Sequence, residues 1–269
     1  MVWTALPYYN PILPHLPRKI LIYDCIDAVE GFLPDQRQKA WALRAEEALI
    51  AQADKVIAVS AGLQARCERA GALVELAPNG VPDHFFVQQF ASEELRGFPK
   101  PIIGFVGGLE SWLDYDLIVE IARARPSWSI VMVGPVDARV GEVEKLKGVQ
   151  NIHLLGKRPY SDVPGLITGF DVCIVPFKVN DLTDLSNPIK ILEYLACGRP
   201  VVCTPIAAAR PFGDVISIAE RADFVAAVEN ALIYENEAKR VIRQSRVRES
   251  GWDAMVERLE RQLETLLKD

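Results

Sequence analysis

Lys190 and Glu193 stand three residues apart in SNPIKILEYLACGRPVVCT, residues 186–204. They head an apolar pattern with helical spacing. Ile191, Leu192, Leu195 and Ala196 fall on the side such a helix buries, so Lys190 and Glu193 share an edge near its amino end. Asn187 is a capping residue type, and Pro188 suits a first turn, where the N–H it lacks has no helical partner. The amino end of a helix offers free N–H groups and partial positive charge, a seat for phosphate to which Lys190 adds a full charge. Ser186, Asn187, Pro188 and Ile189 would line that seat. Glu193 is an acceptor suited to a pair of sugar hydroxyls. An i, i+3 ion pair on a surface helix is the plainer reading of the same spacing, and these residues alone leave both open.

FVGGLESWLDYD gives a second signal. A strand running into Gly107 and Gly108 lets an anionic ligand approach the backbone closely, although a tight turn explains the pair equally well. The GxGxxG spacing of dinucleotide binders is missing, which argues against an NAD site. Asp24 and Asp27 in YDCID sit at a strand's carboxyl end, as turn caps or as groups facing an acceptor. His15, His84 and His153 are scattered, with no triad or zinc spacing. His153 falls in a strand pattern and reads as structural; His84 follows the NGVPD turn.

The elements that must hold these residues alternate between short β-rich runs and longer helical patterns, the sign of βα units on a mostly parallel sheet. Residues 19–24, 55–60 and 74–78 read as strands, with helices over 36–53 and 61–70. SEELRGFPKP, residues 92–101, is polar and carries two prolines, and reads as a linker. The pattern restarts with strands at 102–106, 129–134, 151–156 and 172–177, helices from Asp114, near 140–147 and from Ile189, then VVCT and VISIA. Gly198 ends the Ile189 helix. The tail, residues 251–267, is amphipathic, with Met255, Leu259, Leu263 and Leu266 at helical spacing. This divides the chain into a partial first unit over 1–95, a second over 96–250 and a helix over 251–269.

Half of the 269 residues are hydrophobic, enough for one large core or two modest ones, and the formal net charge is −6. That charge gives no global pull toward nucleic acid or an anionic bilayer. Basic residues cluster only in KRVIRQSRVRES, a solvated helix face or a local membrane-surface contact. The five cysteines show no CxxC pair, which suits a reducing cytoplasmic setting. No apolar run reaches the length of a membrane span, so the expectation is a cytoplasmic protein, at most peripheral at the inner membrane face.

In chain order, YDCIDAVEGF, EEALIAQADKVIAVSAGL, LAPNGVPDHFF, GFVGGLESWLDYDLI, IVMVGP, LLGKRPYSDVPGLI, DVCIVPFKVN and PIKILEYLACGRPVVCT together resemble the glycosyltransferases of the two-Rossmann GT-B fold. The similarity lies within the large retaining group related to sucrose synthases and to bacterial polysaccharide and teichuronic acid transferases. It implies an α/β fold of two Rossmann-like units with mostly parallel sheets, the first incomplete, and a nucleotide-diphosphate sugar bound between them. It also implies that the helix over 251–269 packs back on the first unit. It implies that Glu193 matches the second glutamate of the family's Glu–seven residues–Glu motif, on the ribose. The first glutamate, which holds the transferred sugar, falls at position 185, here Leu185, flanked by Asp184 and Ser186. LESWLDYD lacks the Arg and Lys that members often carry after the glycine turn. Lys190 and the backbone around Gly107, Gly108 and Asn187 therefore take more of the diphosphate.

The implied function is transfer of a sugar to a glycan, lipid-linked or other acceptor in cell-surface polysaccharide synthesis. Neither a metal nor a cofactor is expected beyond the donor itself. A protein partner or self-association is expected over the incomplete first unit. The competing expectation is a catalytically impaired nucleotide-sugar-binding or scaffold subunit. An epimerase on the same fold is weaker, because no acid/base pair is evident.

Overall fold

A computed structural model of the chain describes residues 1–87, 90–137 and 139–268. It divides into two compact units. The first takes Met1–Asn79, Asp181–Asn187 and residues from Asp253 onward; the second takes Gly80–Asn180 and Pro188–Trp252.

In the first unit, strands β1 (Val2–Thr4), β2 (Leu21–Cys25), β3 (Lys55–Ala58) and β4 (Val74–Leu76) form a parallel sheet in that order. Helices α1 (Gln36–Ile50) and α2 (Ala61–Arg69) connect them. Each helix starts where a short polar side chain meets free N–H groups: Asp35 accepts from Arg37 and Gln38, and Ser60 accepts from Leu63. Strand β1 escaped the sequence reading, since three residues carry too little periodicity to register.

Under α1 lies a buried polar network. The Tyr23 hydroxyl donates to Glu46 Oε1 at 2.7 Å, and Arg66 pairs with both Glu46 and Glu30. Glu46 is 3% exposed, so Arg66 supplies the counter-charge that a buried carboxylate needs.

The second unit carries β5 (Ile102–Val106), β6 (Ser129–Val133), β7 (Ile152–Gly156), β8 (Val172–Val175), β9 (Val201–Cys203) and β10 (Ser217–Ile218). All run parallel, in the spatial order β10-β9-β8-β5-β6-β7. Numbered from β5, that is the doubly wound dinucleotide-fold order, whose direction of winding reverses between β5 and β8. Helices α3 (Tyr115–Ala124) and α4 (Val163–Gly169) belong to this unit, and α5 (Asp181–Leu185) to the first. Helices α6 (Lys190–Ala196), α7 (Phe224–Ile233) and α8 (Glu237–Val247) complete the second unit, and α9 (Trp252–Lys268) ends the chain. The expected helix near 140–147 is a 3-10 segment, Gly141–Leu146.

Every residue of β5, β6 and β8 is buried, as expected for strands covered on both faces. Gly104 in β5 is there for space: a Cβ would enter the Phe170 ring.

The boundary differs from a cut at residue 95. Val81, Phe85 and Leu95 are buried in the second unit's core, so the segment leading into 92–101 packs forward rather than back. α9 lays Met255, Leu259 and Leu263 on Ile20, Ile22, Ile57 and Ala77 of the first unit, and the Leu266 side chain lies outside the described residues. In the basic run, Lys239, Arg246 and Arg248 are exposed, as a solvated face expects, while Arg243 turns inward. Arg243 is buried, bonded to Gly198 O and Glu235; Arg246 pairs with Asp214, and Arg240 with Glu237.

Candidate active site

In an open parallel sheet, ligands bind outside the carboxyl ends of the strands at the point where winding reverses. Here that point follows β5, where Val106 gives way to Gly107 and Gly108. A Cβ at Gly107 would fall on the Lys190 side chain, so it is the bare Cα that lets the Lys190 stem lie across the end of the strand. Gly134, after β6, repeats the device: a Cβ there would land on the Gly107 carbonyl. Gly107 N donates to Val133 O at 2.8 Å, tying the turn to the neighbouring strand. Gly108 follows in the same turn, beside Glu110.

α6 is fixed against this turn by Tyr194. Its fully buried hydroxyl accepts from Val106 N at 2.8 Å and faces Val106 O at 3.4 Å. Lys190 lies one helical turn before Tyr194, which places it over Gly107. The helix stops at Gly198, whose φ of +72° is the left-handed conformation glycine adopts freely. Gly198 N donates to Leu195 O, and Arg199 N to Tyr194 O, the paired bonds of a Schellman close. Arg243 and Gln244 of α8 then satisfy the carbonyls of Gly198 and Ala196.

Glu193 is 3% exposed, and its Oε1 accepts from the Tyr160 hydroxyl at 2.7 Å. The Tyr160 ring meets Phe85 at 5.5 Å and, edge-on, His84 at 5.9 Å. Burial raises the Glu193 carboxyl above its ordinary range, opposed by the Tyr160 bond and by the charges of Lys190 and His84. Burial lowers the Lys190 ammonium, opposed by Glu193. Lys190 is half-buried, and its ammonium has no hydrogen bond or ion pair among the described residues. The plain surface-pair reading of Lys190 and Glu193 therefore does not hold.

The sequence placed one group of site residues less well. α6 begins at Lys190 with Ile189 at its cap position and no side-chain cap, so Asn187 stands too far upstream to reach the first free N–H groups. Pro188 and Ile189 do head the helix: Ile191 N reaches Pro188 O, and Glu193 N donates to Ile189 O. Ser186 and Asn187 belong to the first unit, where Ser186 Oγ donates to Thr183 O and Asn187 O accepts from Asn79 Nδ2. A helix of two turns also has a weak dipole, so positive charge here comes mainly from Lys190.

Leu185 is a packing residue of the first unit, set against Gly62, with its carbonyl accepting from Ser60 Oγ at 2.6 Å. Asp24 accepts from Trp3 Nε1 at 3.0 Å, a cross-strand tie rather than a turn cap. His153 packs on Phe98, the structural role its strand position suggested. Tyr160 and His84 went unrecognised as site residues; the one hint was that KRPY follows the carboxyl end of β7. Among the described residues no helix is long and apolar enough to cross a membrane, and no cluster of His, Cys, Asp and Glu could hold a metal.

Comparison with known proteins agrees with this fold. Residues 100–235, just over half of the chain, match the family model described as Glycosyl transferases group 1. A Bacillus subtilis (strain 168) protein, named as a proposed teichuronic acid biosynthesis glycosyltransferase, TuaH, is 28% identical over 277 residues, covering 94% of this chain and 69% of that protein. Among solved structures, sucrose-phosphate synthase from Thermosynechococcus elongatus superposes with a TM-score of 0.81 at 15% identity, over 99% of this chain and 73% of that one. Anabaena HepE in complex with UDP gives 0.75 at 17% identity, over 98% and 78%. The two solved structures share the GT-B fold, and the family match favours an enzyme over a non-catalytic subunit. With its dinucleotide-fold second unit and the matched residues 100–235, the chain belongs to the group 1 glycosyl transferases.

Proposed function

We propose that this glycosyltransferase binds a UDP-linked sugar at the carboxyl end of β5 and the head of α6. It moves the sugar to a glycan or lipid-linked acceptor in cell-surface polysaccharide synthesis. One observation carries the reading: the half-buried Lys190, whose ammonium has no hydrogen bond or ion pair among the described residues, lies across Gly107 near the buried carboxylate of Glu193. A desolvated lysine with no partner is costly unless an anion arrives, and a diphosphate over the bare Gly107–Gly108 turn supplies one. Glu193 accepts from the two ribose hydroxyls. The UDP complex of HepE and the naming of TuaH support the choice of nucleotide and of pathway class.

In this reading the protein's main contribution is electrostatic. As the anomeric C–O bond breaks, negative charge gathers on the departing diphosphate, and Lys190 stabilises it more than it does the ground state. Retention of anomeric configuration follows the family resemblance, and the acceptor hydroxyl, passing its proton to the departing diphosphate oxygen, takes the place of the leaving oxygen on the same face.

UDP release from a panel of UDP-sugars tests this, with NMR of the product reading the anomer. The wild-type protein releases UDP, and Glu193→Ala lowers the rate by about a hundredfold with its fold intact. Undiminished release in Glu193→Ala, or a folded wild type that binds donor without turnover, would overturn the assignment.

A further inference from the structure

We propose that Tyr160 is a positioning residue for the donor: its hydroxyl fixes the Glu193 carboxylate, one oxygen held by the phenol and the other left to accept from the ribose diol. The inference rests on the donor site proposed above. An ionised carboxylate has about four acceptor positions and no donor. Tyr160 occupies one of them, on Oε1, at 2.7 Å, and sets the plane of the group. A diol offering two O–H groups then meets acceptors already aimed.

The arrangement also answers an electrostatic problem. Glu193 is almost fully buried, and a carboxyl so placed tends to take up a proton. Protonated, it would present a donor to the ribose and lose acceptor capacity. The titratable groups facing it come from three segments. Tyr160 opens the 3-10 turn Tyr160–Asp162; His84 lies in Asp83–Phe85; Lys190, Tyr194 and Cys197 belong to α6 and its end. Tyr194 is committed to Val106, and burial pushes the Cys197 thiol up to about 12, so neither carries charge at neutral pH. Lys190 and, when protonated, His84 favour the carboxylate through space, while Tyr160 alone among the described residues hydrogen-bonds it.

Tyr160 is itself held in place. Its ring packs on the buried Phe85 and on the His84 edge, and burial with the Glu193 bond keeps its phenol protonated, hence a donor. Tyr160 as a residue is 49% exposed, so Tyr160→Phe removes the hydroxyl and leaves the packing nearly untouched.

Calorimetric titration of UDP across a pH series, on wild type, Tyr160→Phe, Glu193→Gln and the double variant, tests the inference. Tyr160→Phe should bind UDP about tenfold more weakly near neutral pH, the loss of one hydrogen bond to a charged group. Its affinity should also begin to fall at higher pH than the wild type's as the solution is acidified. The Glu193→Gln series removes the nucleotide's own titration from that comparison. In the Glu193→Gln background, adding Tyr160→Phe should cost much less, because the two changes act through one group. If Tyr160→Phe binds UDP as tightly as wild type with the same acid limb while Glu193→Gln is impaired, the role of Tyr160 is wrong and the donor site stands. If Glu193→Gln binds as tightly as wild type, the donor site itself fails, and this inference with it.

Discussion

Lys190 is costly to keep: burial works against its charge, Glu193 opposes that only through space, and the ammonium has no hydrogen bond or ion pair among the described residues. Lys190→Met keeps the stem across Gly107 and removes the ammonium. We expect the melting temperature to rise by about 2–4 °C, as for a gain of roughly 1 kcal/mol in a chain of this size. Transfer should fall by about a hundred- to a thousandfold, because a transition-state charge loses its partner. Differential scanning fluorimetry with UDP-release kinetics reads both, and a variant that is less stable and still active would contradict the assignment. Lys190, Glu193, Gly107 and Gly108 were visible in the sequence because each pair is local: a helix edge repeats at three or four residues, and a glycine pair after a strand is contiguous. Tyr160 was not visible, because its partner is 33 residues away and only the fold makes them neighbours. Asn187 misled for the opposite reason: its type suits a cap, but the helix starts two residues too late to use it.

At the level of elements, the end of α6 matters as much as its head. Gly198 adopts φ +72°, and a Cβ there would also meet the Arg240 stem at 2.5 Å. Gly198→Ala should therefore destabilise by about 2 kcal/mol, the left-handed backbone and the crowding together. The measurement is the urea midpoint, and an unchanged midpoint would show that α8 gives way freely. Most strands and helices of the second unit were legible because each buried strand is a short β-branched run and each helix repeats its apolar face. α3, for example, buries Tyr115, Leu117, Ile118, Ile121 and Ala122 behind an Asp114 cap. The 3-10 segments were not, since a turn or two of that geometry imposes no period of its own. The basic stretch of α8 read as a solvated face, yet the buried Arg243 turns inward to satisfy Gly198 O, a demand set by another helix's carbonyl end.

For the molecule as a whole, α9 closes a face of the first unit's sheet. Ile20, Ile22 and Ile57 are 9%, 0% and 3% exposed beneath it. Removing residues 252–268 should cost the first unit about 5 kcal/mol or more, taking each uncovered isoleucine at about 2 kcal/mol. Limited proteolysis should then cut within Met1–Asn79 well before Gly80–Asn180, whereas equal protection of both would show that the helix is dispensable. The amphipathic stripe of α9 was legible, and its packing back on the first unit was what the family resemblance implied. The placement of Asp181–Asn187 in the first unit was not, because it depends on Leu182 and Leu185 finding the bare Cα positions of Gly31 and Gly62. Gathering three separated stretches also sets an order of events during translation. The early strands leave the ribosome with Ile22 and Ile57 unsheltered and stay so until residues 253–268 emerge, so the nucleotide-fold half can mature while its elder neighbour still waits, the stage at which the nascent chain is most exposed to aggregation or chaperone capture.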